Sequence, residues 1–366
     1  MQKFHKKVVF FPVHPSQLWV LQPVAEQISP FADVIWVLRA KEVSVKLAEW
    51  MGLDYKIISQ ASSGFIGNAW EMFRNIFRVV KISRRKNADL WVTKYASGSI
   101  GARLTGAKAL CFDDDDLDVT PVGSNTAFPF ANIIFAPNVT RMGRYDKKTI
   151  RFPGNFELFY LHPNRFSPDM TIVSELGLND GEKYAIIRLS ALQAHHDKGI
   201  RGIKEELLRE VIKLTDEKIR LFITSEKPVS TEFEQYRLPI RPERIHHALY
   251  YAEFFLGDSQ TMTSESAVLG TPAFRINDFV GRISIMNELE DLKLSYGFKP
   301  GEEKQLLDEL EKYLALDNGK NIFQARREEM LKNWIDPVPL FVNIIRMLLD
   351  GASIDEIRKW VETYNP

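Results

Sequence analysis

A run of hydroxyl and carboxylate side chains between Glu253 and Pro272 has the spacing of an anion site. Its sequence, EFFLGDSQTMTSESAVLGTP, predicts an apolar strand, a Gly-Asp turn and a helix that begins among hydroxyl residues. The first turn of a helix carries unpaired backbone N–H groups and the positive end of the helix dipole, and both favour a diphosphate. We assign to this site Asp258, Ser259, Gln260, Thr261, Met262, Thr263 and Glu265, with Ser264 as a further hydroxyl donor.

Glu265 adds a second kind of recognition to this segment. It lies about one turn into the predicted helix, where its carboxylate is able to accept hydrogen bonds from both ribose hydroxyls of a nucleotide. The same letters also fit an ordinary helix in which Ser259 or Thr261 is the N-cap and Glu265 belongs to the first turns. Spacing alone leaves both interpretations open.

A second polar cluster follows the predicted strand Tyr184 to Leu189. An arginine there is able to pair with phosphate, whereas a loop held by its own hydrogen bonds would use the same residue types. Adjacent histidines, together with His246 and His247, also suggest a metal, but no zinc-site spacing is present, and we expect none. The cluster consists of Arg188, Ser190, His195, His196 and Asp197.

Four aspartates, Asp113 to Asp116, come directly after an apolar strand. Mutual repulsion raises at least one carboxyl pKa in such a group, which suits a general base. We take Asp114, Asp116 and His195 as catalytic candidates, with a solvated acidic turn as the alternative for the aspartates.

The segment 64–86 is predicted to be a basic amphipathic helix. Apolar residues recur in it at helical spacing, and six cations accompany them: Arg74, Arg78, Lys81, Arg84, Arg85 and Lys86. Such a helix suits peripheral contact with an anionic membrane, although an apolar stripe also forms whenever a helix packs on a core.

The amino-acid composition limits the classes of protein in which these clusters could lie. The chain has 366 residues, with 48 basic and 48 acidic side chains, so no global field favours nucleic acid. The single cysteine, Cys111, excludes an internal disulfide and is typical of a reducing compartment. No apolar stretch is long enough to span a bilayer. We therefore expect a cytoplasmic protein, with peripheral contact at the inner face of the membrane as an option.

The elements that must position these residues alternate between strand and helix patterns in both halves, which predicts α/β domains with parallel sheets. We expect an N-terminal Rossmann-like domain over 1–160, a second over 161–330, and terminal helices over 331–366 that cross the junction. Residues 151–169, rich in proline, are predicted to link the domains. The strand candidates are Lys7–Val13, Asp33–Leu38, Asp54–Ile58, Ala88–Thr93, Ala107–Phe112, Asn132–Ala136, Tyr184–Leu189, Ile219–Thr224, Phe254–Gly257 and Pro272–Ile276.

Several long stretches resemble the family called domain of unknown function 354, which is similar to GT-B glycosyltransferases and UDP-N-acetylglucosamine 2-epimerases. They are FELFYLHPNRFSPD from Phe156, AHHDKGIRG from Ala194, FITSE from Phe222, RLPIRPERIHHALYYA from Arg237 and GDSQTMTSESAVLGTPAFRINDFVG from Gly257. The family's Pro-Pro-His after the first strand is replaced here by His14-Pro15-Ser16-Gln17, which displaces the histidine.

The resemblance implies a GT-B fold whose two domains face each other across a cleft. In the GT-B transferase that makes lipid II, a glutamate five residues before Gly-x-Pro holds the ribose, and Glu265 before Gly270-Thr271-Pro272 matches it. It also implies that Ser225, Glu226 and His246 lie where the base is held, and that no metal or cofactor is needed.

Three functions follow as hypotheses. The first is a glycosyltransferase moving a sugar from a nucleotide-sugar, UDP favoured, to a glycan or lipid-linked acceptor in polysaccharide biosynthesis. The second is a nucleotide-sugar epimerase or hydrolase. The third is a scaffold of a polysaccharide-assembly complex that has kept the fold without turnover.

Overall fold

The chain forms two compact units in a computed structural model that describes residues 5–40, 42–60, 65–179, 181–190, 202–215, 218–225 and 228–364. The first unit combines Met1–His162 with Ile335–Pro366, and the second is Pro163–Trp334. The last residues of the chain therefore belong to the same unit as the first ones.

A seven-stranded parallel sheet forms the centre of the first unit, in the order β3-β2-β1-β4-β5-β6-β7. Its strands are β1 (Lys6–Phe11), β2 (Ala32–Ala40), β3 (Tyr55–Gln60), β4 (Leu90–Thr93), β5 (Lys108–Phe112), β6 (Ile133–Pro137) and β7 (Thr149–Phe152). The direction of the strand order reverses between β1 and β4. In open α/β sheets, ligands bind outside the carboxyl ends of the strands at such a switch point.

Helices lie between and after these strands in the first unit. They are α1 (Pro15–Ile28), α2 (Glu42–Trp50), α3 (Phe65–Lys86), α4 (Ala96–Thr105), α5 (Pro121–Ala127) and α6 (Leu158–Leu161). Helices α1 to α5 connect strands of the first unit, and α6 follows β7. Helices α3 and α4 pack closely because Gly101 has no side chain, and a Cβ there would collide with the side chain of Val79. This contact fixes α3 against its neighbour.

The second unit contains a five-stranded parallel sheet in the order β12-β11-β10-β8-β9. Its strands are β8 (Lys183–Leu189), β9 (Ile219–Ser225), β10 (Phe255–Gly257), β11 (Ala273–Ile276) and β12 (Ser295–Phe298). Its helices are α7 (Thr171–Glu175), α8 (Glu205–Thr215), α9 (Ile245–Tyr251), α10 (Gln260–Val268), α11 (Ser284–Asp291), α12 (Glu303–Leu314) and α13 (Gly319–Asn333). The switch point of this sheet lies between β8 and β10.

Two final helices, α14 (Pro337–Leu349) and α15 (Ile354–Glu362), complete the first unit. Asp336 caps α14 through its side chain, with Pro337 at the first helical position, and Ser353 and Glu356 form a capping box on α15. The ring of Phe341 contacts Phe135 at 4.9 Å and Phe159 at 5.5 Å between centroids. The C-terminal segment is thus part of the aromatic core of the first unit.

The predicted α/β architecture with two parallel sheets is confirmed. Two strands were missed: β7, whose last residues fall inside the predicted linker 151–169, and β12. Each strand is only four residues long and contains no continuous apolar run, so the sequence pattern alone does not distinguish it from a loop. Among the described helices, none combines the length and the apolarity needed to cross a bilayer.

Candidate functional site

The switch point of the second sheet brings together the ends of β8 and β10. Gly257 pairs with Arg188 on one side and Arg275 on the other. A Cβ at Gly257 would lie 3.2 Å from the Cβ of Arg188 and would overlap the ring of Phe255. A side chain at position 257 would therefore have to displace the ring of Phe255, and glycine avoids this clash. Arg188 donates from Nη1 to Thr224 Oγ1 at 3.0 Å.

Asp258 ties the two loops at this switch point together. Its carboxylate accepts a hydrogen bond from the backbone N–H of Ser190 at 2.7 Å, and its carbonyl accepts one from Asn277 Nδ2 at 2.9 Å. Burial raises the pKa of Asp258, and the backbone N–H of Ser190 opposes that rise. Asp258 therefore acts on the local backbone and positions the first turn of α10.

Helix α10 begins at Ser259, whose Oγ accepts a hydrogen bond from the N–H of Met262 at 3.4 Å. The four residues Ser259 to Met262 are partly exposed. Thr263 is fully buried and donates its hydroxyl to the carbonyl of Ser259 at 2.6 Å, and Ser264 is 3% exposed. The side chains at the open end of the helix are thus Ser259, Gln260, Thr261 and Met262.

Glu265 lies further along α10 and contacts His246 of α9. Glu265 Oε1 and His246 Nε2 are 3.0 Å apart, and the two side chains are only 6% and 4% exposed. A buried carboxylate needs hydrogen-bond partners, and the imidazole holds this one in a defined orientation. The structure therefore brings together two residues that the sequence assigned to one nucleotide site.

The neighbouring histidine has a different environment. His247 Nδ1 accepts a hydrogen bond from the N–H of Asp169 at 3.1 Å, and its ring stacks on Phe166 at 5.1 Å. Burial lowers the pKa of His247, as does the positive charge of Arg244. The two histidines thus use their ring nitrogens for different partners, His246 for Glu265 and His247 for the backbone of Asp169.

A buried arginine in the second unit was not predicted. Arg275 of β11 donates from Nη2 to Glu290 Oε1 at 2.9 Å, and burial lowers the pKa of Arg275. Gly297 makes room for this ion pair, since a Cβ at that position would collide with Glu290. An arginine inside the apolar strand letters AFRI was the only signal for it.

The carboxyl ends of β4 and β5, next to the switch point of the first sheet, carry a compact charged cluster. Lys94 follows β4, and its Nζ lies 2.6 Å from Asp113, 3.0 Å from Asp114 and 2.9 Å from Asp115. Burial raises the pKa of Asp113 to about 7, although Lys94 opposes the rise. Burial would lower the pKa of Lys94, but the three carboxylates raise it well above its ordinary value.

Within the part of the chain that the structure describes, one group of side chains has the geometry of a metal site, and it is this aspartate cluster. The ammonium of Lys94 lies within 3.0 Å of an oxygen of each of the three. It thus occupies the position at which a cation would bind those oxygens. The residues present fit an internal ion pair better than a bound metal.

Asp116 differs from its three neighbours. It is fully buried, and it accepts a hydrogen bond from the backbone N–H of Arg141 at 2.7 Å and pairs with the Arg141 guanidinium at 3.3 Å. Its carboxylate thus stabilises the turn that follows β5. Asp113, which was not selected from the sequence, has the strongly raised pKa.

Other predicted residues lie elsewhere. Ser225 is at the carboxyl end of β9 and is partly exposed. His14 is the N-cap of α1, where its Nδ1 accepts a hydrogen bond from the N–H of Ser16. His195, His196, Asp197 and Glu226 lie outside the described residues.

No protein-family model matches the chain, and no curated protein matches it. Solved structures do match over nearly its whole length. S. aureus MnaA in a co-structure with UDP has a TM-score of 0.70 and 13% identity, covering 95% of this chain and 98% of that one. A putative UDP-N-acetylglucosamine 2-epimerase from Listeria monocytogenes has a TM-score of 0.69 and 11% identity, covering 96% and 98%.

A transferase has the same fold. The glycotransferase of kitacinnamycin has a TM-score of 0.60 and 10% identity, covering 94% of this chain and 100% of its own. At these identities the likeness shows a shared architecture, and the chain has a GT-B-like α/β fold with two Rossmann-like domains.

Proposed function

We propose that this chain is a GT-B enzyme that binds a UDP-sugar through its second unit. The observation that carries the proposal is the partly exposed first turn of α10 at the switch point between β8 and β10. Backbone N–H groups and the helix dipole attract a diphosphate there, and Arg188 ends the adjacent strand. Solved structures of the same fold include a co-structure with UDP.

Glu265 is the proposed ribose acceptor. It lies six residues after the N-cap, or about 9 Å along the helix axis at 1.5 Å per residue. In a nucleoside diphosphate the ribose hydroxyls likewise lie at a distance from the phosphates. Phosphates bound at the first turn would therefore leave the ribose hydroxyls further along the helix, nearer to Glu265. His246 orients the carboxylate through Oε1, and a carboxylate is able to accept several hydrogen bonds at once.

The leading reaction is transfer of the sugar to an acceptor hydroxyl on a glycan or a lipid-linked glycan. Asp113 in the first unit is the proposed general base, because its raised pKa is near neutral pH and such a base is able to take up a proton there. We propose that no metal takes part, with the helix terminus and Arg188 balancing the charge of the leaving diphosphate.

Epimerisation of the nucleotide-sugar is the second candidate. An epimerisation needs titratable groups beside the sugar ring, one that removes a proton and another that returns it on the opposite face. The similar solved structures include a putative UDP-N-acetylglucosamine 2-epimerase. Incubation with UDP-sugars but no acceptor distinguishes the two reactions, since only epimerisation then gives a new UDP-sugar.

Calorimetry and thermal unfolding with UDP, GDP, CMP and ADP and their sugars test the binding step. We expect one nucleotide class, UDP, to bind and to raise the melting temperature, because a ligand of the folded state stabilises it. Glu265→Ala should weaken that binding about 10- to 100-fold, the effect of losing hydrogen bonds to a charged group.

Glu234→Ala is the matched control. It removes an exposed carboxylate of the same unit that pairs with nearby Arg237, so UDP affinity should not change. If none of the four nucleotides binds at millimolar concentration, the nucleotide-sugar proposal is wrong, and a scaffold function without turnover takes its place.

A further inference from the structure

Helix α3 exposes three aromatic side chains in one row. The exposed fractions of Trp70, Phe73 and Phe77 are 60%, 51% and 61%. Their spacing of three and four residues puts them on one face of the helix. The rings contact one another, with 6.0 Å between the centroids of Trp70 and Phe73 and 4.9 Å between those of Phe73 and Phe77. Together they form a continuous apolar surface.

The opposite face of α3 is fixed by polar contacts. Glu71 is fully buried and forms a two-point ion pair with Arg39 at 2.6 and 2.9 Å. Ser59 donates to Glu71 at 2.9 Å and accepts from Asn75 at 3.0 Å. Rotating the helix to bury the aromatic rings would leave these buried polar groups without partners, which is strongly unfavourable. The outward orientation of the aromatic row is therefore set by the fold.

A row of cations runs beside the aromatic row. Arg74, Arg78, Lys81 and Arg85 follow each other at spacings of four, three and four residues, and all are exposed. Arg84 and Lys86 add two more exposed cations in the last turn, where positive charge also suits the helix dipole. The single acidic residue of α3 is the buried Glu71. All the charged side chains on the exposed face of α3 are thus cations, although the chain as a whole has no net charge.

We propose that this face of α3, defined by the aromatic row and the cationic row, docks on the surface of an anionic phospholipid bilayer. Exposed aromatic rings enter the boundary between headgroups and acyl chains, and flanking lysines and arginines bind lipid phosphates. The proposal rests on α3 alone and goes beyond the proposed function. It would hold the enzyme at a surface where lipid-linked acceptors are found.

Charge argues against a second copy of the chain as the occupant. Two α3 faces brought together would oppose six cations to six cations with no exposed acid on either helix. An anionic surface satisfies the same cations and the same aromatic row at once.

Co-sedimentation of the full chain with vesicles tests this proposal. We expect binding to vesicles of phosphatidylcholine with phosphatidylglycerol, weak or no binding to pure phosphatidylcholine, and a loss of affinity as salt is raised. A triple variant, Trp70→Ser with Phe73→Ser and Phe77→Ser, should bind at least about tenfold more weakly, and so should Arg74→Glu with Lys81→Glu and Arg85→Glu.

Each variant has a matched control on other exposed residues. Leu104→Ser with Val122→Ser and Met170→Ser removes as many exposed apolar side chains from outside α3, and these are 61%, 76% and 64% exposed. Lys312→Glu with Lys332→Glu and Lys359→Glu makes the same change in net charge at positions of α12, α13 and α15. Both controls should bind vesicles like the unaltered chain.

Other outcomes overturn the proposal. Equal binding to neutral and anionic vesicles, or α3 variants that bind as well as their controls, would show that this face does not recognise an anionic bilayer. Self-association of the unaltered chain in sedimentation velocity, lost in the aromatic variant, would assign the face to contact between copies. Unchanged melting temperatures of the variants exclude unfolding as the cause of lost binding.

Discussion

His246 Nε2 lies 3.0 Å from Glu265 Oε1, and the two side chains are buried together between α9 and α10. His246 thus holds the carboxylate of Glu265 at the place where we expect ribose to bind. This gives His246 a positioning role that acts through Glu265.

His246→Ala should weaken UDP binding about tenfold and lower the free energy of unfolding by about 1–3 kcal/mol, because a buried carboxylate loses a hydrogen-bond partner. His246→Gln, which keeps a donor, should restore much of the affinity. Calorimetry and urea unfolding measure the two effects.

His247→Ala is the control for that experiment. His247 stacks on Phe166 and accepts a hydrogen bond from the backbone N–H of Asp169, whereas it is His246 that contacts Glu265. Its replacement should cost stability while UDP affinity stays the same. Equal losses of affinity in the two variants would mean that α9 acts only as a structural support.

Glu265→Gln separates charge from shape at the same position. An amide keeps the size of the side chain but loses the charge that strengthens hydrogen bonds to hydroxyl donors. We expect UDP affinity to fall about tenfold while the affinity for free phosphate, bound by the helix terminus, changes little. A parallel loss of both affinities would contradict the division of roles between Glu265 and the first turn of α10.

The raised pKa of Asp113 predicts a pH-dependent stability. With a folded-state pKa of about 7, the native state keeps a proton that the unfolded chain releases near its ordinary value of 3.8. The contribution of Asp113 to the free energy of unfolding is therefore largest below the ordinary value and falls as pH rises toward 7, by up to about 4 kcal/mol.

Urea unfolding at a series of pH values checks this. Asp113→Asn should remove much of the decline between pH about 4 and 7, whereas Asp146→Asn, which alters an exposed ion pair with Arg151, should leave it in place. If Asp113 is the general base, kcat/KM of the unaltered enzyme should rise with pH through about 7, where this carboxyl loses its proton.

The position of Lys94 predicts how the chain responds to metals. If the proposed metal-free reaction is correct, chelators should not change the activity of the unaltered chain. Lys94→Ala should create a site for Mn²⁺ or Ca²⁺, because three aspartate oxygens that lie within 4.8 Å of one another then lose the ammonium that neutralises them. Calorimetry with these ions measures it. The control is Arg141→Ala, which removes a cation from Asp116 and Asp118 and should bind neither ion. A loss of activity on adding a chelator to the unaltered chain would refute the metal-free proposal.

Phe341 tests the role of the C-terminal segment. Phe341→Ala should lower the free energy of unfolding by about 3–5 kcal/mol, because the ring is fully buried among Phe135, Phe159 and Phe112. Trp360→Ala in α15, where the ring contacts Tyr364 and remains partly exposed, should cost much less. Thermal unfolding of the two variants gives the comparison.

The local sequence around Gly257 was enough to predict a strand, a turn and a helix in that order. The apolar residues, the glycine and the N-cap serine each determine the conformation of their immediate neighbours in the chain. The local sequence was not enough for Thr263, whose hydroxyl is used by its own helix. Nor did it reveal Asp113 within its tetrad, because the contact with Lys94 comes from another strand and depends on the order of strands in the sheet.

Helix α3 shows a different limit of sequence pattern. Helical spacing identified its apolar face, and the usual expectation is that such a face is buried. In the structure the buried face contains Glu71 and Asn75, because Arg39 and Ser59, from β2 and β3, supply their partners. Periodicity gives the faces of a helix, but the identity of the buried face depends on contacts that are distant in sequence.

The return of the chain at Ile335 makes the second unit an insertion within the first. During synthesis, residues 163–334 leave the ribosome before the last part of the first unit exists, including the ring of Phe341. The second unit is thus able to fold while the first unit still lacks part of its core. Completion of the first unit therefore waits for the segment that begins at Ile335. A truncation that removes Phe341 takes part of the core from beside the N-terminal sheet, whereas residues 163–334 are all still present.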